Sequence, residues 1–125
     1  MSEITADGYQ TLKDYLNSSK PNPPDWDYIE IYDDTGSAVT RVSVTGDSRC
    51  QWLDVDGDNV LKVEFVVSGG DSDIPLPTTL QQSAIWNDTS ANGGDQVTAK
   101  ETYADATLNQ SGDQVTITHS ISVPQ

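Results

Sequence analysis

The 125-residue sequence sets twenty acidic side chains against six basic ones, and sixteen of the twenty are Asp, giving a formal net charge of −14. The six cations, Lys13, Lys20, Arg41, Arg49, Lys62 and Lys100, form no cluster, which argues against nucleic acid or an anionic membrane as partner, since both are held by cations neutralising phosphates. The length suits a single domain with a modest core, and the lone Cys50 excludes an internal disulfide.

Taken in chain order, Tyr9, Leu12, Tyr15 and Leu16 recur at three- and four-residue spacing and predict one helix, assigned to residues 2–19. Thr5 or Ser2 is available as its cap, Asp7 lies near the positive end of its dipole, and Tyr9, Leu12 and Leu16 need a surface to bury against. Pro21, Pro23 and Pro24 forbid continuation, so residues 20–25 read as an extended link. From Trp26 the period becomes two. In residues 26–32, Ile29 and Ile31 share one face, while Trp26, Tyr28, Glu30 and Tyr32 share the other. That pattern belongs to a strand covered on both sides, near the centre of a sheet.

The turn Asp33-Asp34-Thr35-Gly36 leads to a second strand at residues 38–45. Residues 51–55 and 60–67 flank Asp56-Gly57-Asp58-Asn59 as a hairpin, with Leu61, Val63, Phe65 and Val67 as an inward row. Burying each of those side chains is worth roughly 1.5–3 kcal/mol. Ile74-Pro75-Leu76-Pro77 is too rich in proline for a central strand and reads as a crossing between sheets. Residues 79–87 put Leu80, Ala84 and Trp86 on one face and Ile85 on the other. Strands at 96–103 and 114–123 follow, the last aligning Val115, Ile117, His119, Ile121 and Val123. Seven or eight short strands led by one helix predict a mainly β fold, an antiparallel, jelly-roll-like β-sandwich over residues 26–125.

Candidate chemistry is sparse. Asp54, Asp56 and Asp58 stand at alternate positions and resemble the first half of a calcium loop, but Asn59 stands where such a loop has Gly and Phe65 where it has its bidentate Glu. Calcium there is the one cofactor the sequence offers, against a tight Asp-Gly hairpin turn in an acidic chain. His119, the single histidine, sits in an inward row with no Ser, Cys or metal ligand at a recognisable spacing, and reads as a buried, hydrogen-bonded residue, not a general base. Cys50 reads as a small apolar residue. No nucleophile elbow, phosphate loop, dinucleotide fingerprint or zinc set is present, so no enzymatic activity is expected. Trp26, Tyr28, Tyr32 and Trp86 are the candidate interface, either as a contiguous aromatic patch or as packing beneath the helix.

The Asp residues are scattered between alternating apolar stretches, so the charge is a property of solvated faces and turns. At molar ionic strength the Debye length falls to about 3 Å, and such a coat becomes tolerable, which suggests a halophilic source. Nothing in Met1-Ser2-Glu3 reads as a secretion signal, and no apolar stretch approaches the ~20 residues of a membrane span.

The order of parts is informative as a whole. A short helix, the aromatic-aliphatic strand at 26–32 with its Asp and Gly turn, and the hairpin around Asp56-Gly57 come first. The segment from Ser83 to Gly94 and the closing run from Leu108 through Gly112-Asp113 to Val123 follow. The whole resembles a family of small virion proteins of tailed viruses. The likeness is one of pattern over most of the chain, and it departs from the family where relatives are Gly-rich and this chain has Asp33-Asp34-Thr35-Gly36. It implies a structural part of the virion, a head decoration or turret protein or else a tail, fibre or baseplate component. With the acidic composition, it implies a tailed virus of halophilic archaea. Its partners would be further copies of itself, as trimers, pentamers or hexamers, and other virion proteins such as the major capsid protein. A surface module recognising sugar through exposed Trp residues is the rival reading.

Overall fold

The computed structural model describes residues 2–54, 57–88 and 94–124. These form one helix, α1 (Ala6–Leu16), and seven strands: β1 (Tyr28–Asp33), β2 (Ala38–Ser43), β3 (Cys50–Asp54), β4 (Val60–Ser68), β5 (Thr78–Trp86), β6 (Glu101–Leu108) and β7 (Gln114–Ser122). They build an antiparallel β-sandwich, with one sheet in the order β2-β1-β5-β6 and the other β3-β4-β7. The chain passes between the sheets after β2, through the proline-rich segment after β4, and again after β6.

The expected central strand is central. β1 pairs with β2 on one side and β5 on the other, and Ile29, Glu30, Ile31 and Tyr32 are all buried. The β4 row supplies the middle of the core through Val63, Phe65 and Val67, facing Ile29, Ile31, Leu80 and Ile85 of the other sheet. Leu80 departs from the simple alternation. Against β1, where the neighbours Tyr32 and Asp33 pair with Gln82 and Leu80, β5 carries one extra residue, which turns Leu80 to the core beside Ile85 while Trp86 and Ala84 keep the other face. The β1–β2 turn is held by Asp33, whose Oδ1 accepts from the Thr35 and Ser37 amides at 2.9 and 3.0 Å, and Gly36 supplies the positive φ of +84° that the turn demands.

The bounds of two elements are corrected. The strand read at 96–103 is instead β6, Glu101–Leu108. Gln96 and Thr98 make only isolated bridges, because this stretch is shared between β5 and the N-terminal segment. The Val97 amide donates to the Ile85 carbonyl at 2.9 Å, while the Val97 carbonyl accepts from the Thr5 amide at 3.0 Å. The helix, read at 2–19, covers only 6–16, since residues 2–4 are extended. Ser2 exchanges backbone hydrogen bonds with β7, to the Ser120 carbonyl at 2.7 Å and from the Ser122 amide at 2.9 Å; the Ala99 amide donates to the Glu3 carbonyl at 2.8 Å. The N-terminal segment is thus a strap across the seam between β7 and the other sheet.

The strap fixes how α1 lies. Thr5 is the cap, its hydroxyl accepting from the Gly8 amide at 3.0 Å and donating to the Gln96 carbonyl at 2.6 Å. The side turned to the protein is narrow and polar, with Gly8 and Thr11 buried; Tyr9, Leu12 and Leu16, which the spacing assigned to burial, are exposed, as is Tyr15. A Cβ at Gly8 would collide with the Val97 carbonyl oxygen and come within 2.7 Å of Ile4 Cγ2. Only glycine lets the helix approach this closely.

Arg49 ties the loop before β3 to the loop after β4. Its guanidinium reaches Asp47 at 2.7 Å, Asp71 at 3.0 Å and Asp73 at 2.8 Å, and lies over the Phe65 ring. The same contact holds Asp47 and Asp73 below the ordinary carboxylate range. Gly8→Ala, which by intrinsic helix propensity would stabilise an exposed helix, is expected here to destabilise the fold by about 1–3 kcal/mol through overpacking against Val97 and Ile4. Equilibrium denaturation in molar KCl reads the sign directly.

Candidate functional site

Two places in the fold carry unusual side-chain arrangements. The first is internal. His119 is fully buried between the sheets, and both ring nitrogens are occupied: Nε2 by the Ser2 hydroxyl at 2.7 Å and the Thr98 hydroxyl at 3.0 Å, Nδ1 by the Ser83 hydroxyl at 2.7 Å. Ser83 also meets the Tyr103 hydroxyl, which reaches Glu101 Oε2 at 3.5 Å. Glu101 Oε2 accepts in turn from the Ser120 amide at 2.7 Å and lies 3.7 Å from His119 Nδ1. In the neutral ring one nitrogen donates and the other accepts, and the hydroxyls of Ser83 on one side and of Ser2 and Thr98 on the other can serve either role, so both nitrogens are bonded in either tautomer.

Burial holds the His119 pKa down at about 4, against the opposing pull of Glu101. The same burial drives the Tyr103 phenol well above its ordinary value. Histidine, serine and glutamate side by side invite comparison with a hydrolytic triad, yet Ser2, Ser83 and Thr98 are all buried, with Ser83 and Thr98 at 0 % exposure. A nucleophile needs a path to its substrate; these hydroxyls face the core. Sequence spacing could not find the cluster, because its members come from the strap, β5, β6, β7 and the segment before β6.

The second place is on the surface. Beneath α1, an open groove of about 520 Å³ is lined by Ile4, Leu12, Trp26, Trp52, Leu61 and Ile121, with Asp25, Asp27 and Thr45 beside them. Both indole N–H groups are satisfied internally: Trp26 donates to Thr11 Oγ1 at 2.9 Å and Trp52 to Asp27 Oδ1 at 3.4 Å. Burial alone would raise the Asp27 pKa, but hydrogen bonds from Thr45, Ser43 and Trp52 outweigh it and hold the carboxyl below its usual range. A smaller hollow of about 180 Å³ adjoins the groove at Leu12 and Trp26 and is otherwise lined by Thr11, Tyr15, Pro23, Pro24 and Asp25. Over it stand the exposed side chains of α1, of which Leu16 is 83 % exposed.

The four residues read as one aromatic face are divided between two settings. Trp26 precedes β1 and turns to α1. Tyr32 and Trp86 lie on the outer face of the larger sheet, where Trp86 Nε1 donates to the Tyr32 hydroxyl at 2.9 Å; Tyr28 is opposite Trp86 in the ladder. That outer cluster is internally closed: Arg41 lies 3.9 Å over Trp86 and pairs with Glu30 at 2.9 Å, Lys100 lies 4.0 Å over Tyr32, and Tyr32 is buried. Of the carboxylates read as a calcium half-loop, Asp54 and Asp58 are exposed, Asp58 Oδ1 accepts from the Val60 amide at 2.7 Å, and Asp56 lies outside the described residues. Among the described residues, no three His, Cys, Asp or Glu side chains gather as a metal set. Cys50 is half-buried, and burial followed by the nearby Asp47 pushes its thiol up to about 12, away from reactivity.

Compared with protein-family models, with curated proteins and with solved structures, the chain matches none. Among the described residues, no helix is long and apolar enough to cross a membrane.

Because the folded histidine resists protonation, its stabilising contribution is complete above the unfolded value of 6.5, declines as pH falls toward about 4, and is constant below. The loss amounts to about 3 kcal/mol. Asp27, Asp47 and Asp73, held low, add their own loss only below their ordinary 3.8. Denaturation midpoints measured in molar KCl from pH 7 downward are expected to show the histidine step, and in His119→Asn the step above pH 4 is expected to vanish.

Proposed function

We propose that this chain is a non-enzymatic structural subunit of a virus particle, a head decoration or turret protein of a tailed virus whose host lives in strong salt. The observation that carries the reading is the outward face of α1. Tyr9, Leu12, Tyr15 and Leu16 are exposed together, next to an apolar groove, on a chain whose net charge of −14 otherwise favours solvent everywhere. A contiguous apolar face of this kind is what an assembly contact requires and what an isolated soluble domain avoids. The order of parts that resembles small virion proteins supplies the particle, and the acidic coat supplies the habitat. The sealing of the His119 cluster from solvent supports a non-catalytic role. Under this reading the partners are further copies of the chain and the major capsid protein.

A carbohydrate-binding module is the second reading, favoured by Trp26 and Trp52 lining one groove, since indole faces stack on sugar rings. Saturable binding on a glycan array read in molar salt, abolished by Trp52→Ala, would favour it. For the virion reading, gold-conjugated antibody against the chain is expected to label the heads of particles banded in molar salt from a virus-producing culture. Label confined to tails would reassign the chain to the tail. Banded particles without the chain by mass spectrometry would overturn the reading.

A further inference from the structure

We infer that the groove beneath α1 is a binding site for a small organic cation, an ammonium or guanidinium on an apolar body, held by the rings of Trp26 and Trp52 and the carboxylates of Asp25 and Asp27. This role is independent of whether the chain belongs to a virus particle.

The fold twice builds a cation site from the same two parts, an aromatic ring and a carboxylate. Arg41 lies 3.9 Å over the Trp86 ring and pairs with Glu30 at 2.9 Å. Arg49 lies 5.0 Å over the Phe65 ring while it pairs with Asp47, Asp71 and Asp73. The ring contributes the negative face of its quadrupole and the carboxylate a full charge, and both attractions strengthen as water is excluded. The groove repeats these parts without the cation. Trp26, Trp52, Asp25 and Asp27 all line it and no Lys or Arg does. Among the described residues, no Lys or Arg lies over either indole or pairs with either carboxylate.

Hydrogen bonding selects the same sign of charge. Each side-chain donor along the groove is already spent: the Trp26 indole on Thr11 at 2.9 Å, the Trp52 indole on Asp27 at 3.4 Å, and the Thr45 hydroxyl on Asp27 at 2.6 Å. The side chains therefore offer a ligand acceptor oxygens and ring carbons. The bonds from Thr45, Ser43 and Trp52 also keep Asp27 ionised. Two like charges beside low-dielectric walls concentrate counter-ions between them and repel an anion.

The apolar lining fixes the rest of the ligand. At about 520 Å³ the groove falls within the roughly 300–1,000 Å³ of small-molecule sites. Ile4, Leu12, Leu61 and Ile121 complete its walls. A potassium ion gains nothing from those side chains, whereas hydrocarbon attached to the cation removes them from water. The lining thus separates this place from the acidic coat elsewhere, which attracts any counter-ion alike.

Three probes with one carbon skeleton and different head groups test the assignment: 2-phenylethylammonium, 2-phenylethanol and phenylacetate. Titrations in molar KCl are followed through the indole N–H signals of isotope-labelled protein, each signal assigned by Trp26→Phe, Trp52→Phe or Trp86→Phe. The ammonium is expected to move the Trp26 and Trp52 signals saturably and leave Trp86 in place. Its affinity is expected to exceed that of the alcohol by on the order of tenfold, with phenylacetate not binding. Asp25→Asn, a change at an exposed side chain, is expected to weaken the ammonium about threefold and leave the alcohol and the melting midpoint unaltered. Equal affinity for ammonium and alcohol, an ammonium affinity that Asp25→Asn leaves unchanged, or a response confined to Trp86 overturns the site. So does the absence of any saturable shift, or a groove that takes neutral glycans and not the ammonium.

Discussion

The His119 ring ties the two sheets and the N-terminal strap to one another. β6 and β7 belong to different sheets, and a sandwich left open between them would expose edge groups with nothing to pair them. The imidazole reaches from β7 to Ser83 of β5, and its other nitrogen engages Thr98 and Ser2, so one side chain joins the two sheets and the N-terminal strap. Each partner is itself spent: Thr98 Oγ1 accepts from the Ile85 amide at 3.1 Å, and Ser2 Oγ donates to the Ser120 carbonyl at 3.1 Å. Because the strap is fixed there, Thr5 is fixed, and with it the cap and the angle of α1. The outward face of the helix therefore depends on a histidine on the other side of the strap.

This dependence explains which features could be read from the residues. Strands with period-two patterns and turn residues at their ends were readable: β1, β4 and β7 lie where alternation put them, and the buried, hydrogen-bonded histidine follows from its inward row. Features that failed to show were those decided by contacts between distant segments. The phase of Leu80 is set by an extra residue in β5 that no local pattern announces. The strand at Glu101–Leu108 has only Tyr103 and Leu108 as large apolar residues, so its alternation is faint, while Val97 and Ala99 mimic a strand that the strap interrupts. For α1 the spacing gave the helix but the wrong side, because burial was inferred from apolar content. The side that packs is chosen by closeness of approach, which selects Gly8 and Thr11.

The cations illustrate a related economy. Of the six, set against twenty acids, Arg41, Arg49, Lys20 and Lys100 each make a specific contact within the fold. Arg49 pairs with three carboxylates that two loops would otherwise crowd together, and its fork geometry lets it bond Asp47 and Asp73 each through two oxygens. Arg41 is buried with Glu30 beneath Trp86, and Lys100 covers Tyr32. Lys20 reaches Asp14 at 3.2 Å across the end of α1. Replacing arginine by lysine at position 49 would keep the charge and lose the fork, leaving at least one of the three loop carboxylates without its partner.

Salt then acts on folding and on association through the same quantity. The excess of acids opposes compaction of one chain and approach of two, and both penalties fall as the screening length shrinks toward a few ångströms. Apolar burial, by contrast, is not weakened by molar KCl, so the balance between coat and core shifts in one direction as salt rises. If α1 is an assembly face, as proposed, the attraction there is local to its exposed apolar side chains while the repulsion comes from the rest of the acidic subunit, so association through it would be coupled to ionic strength even though few of the contacting residues are charged.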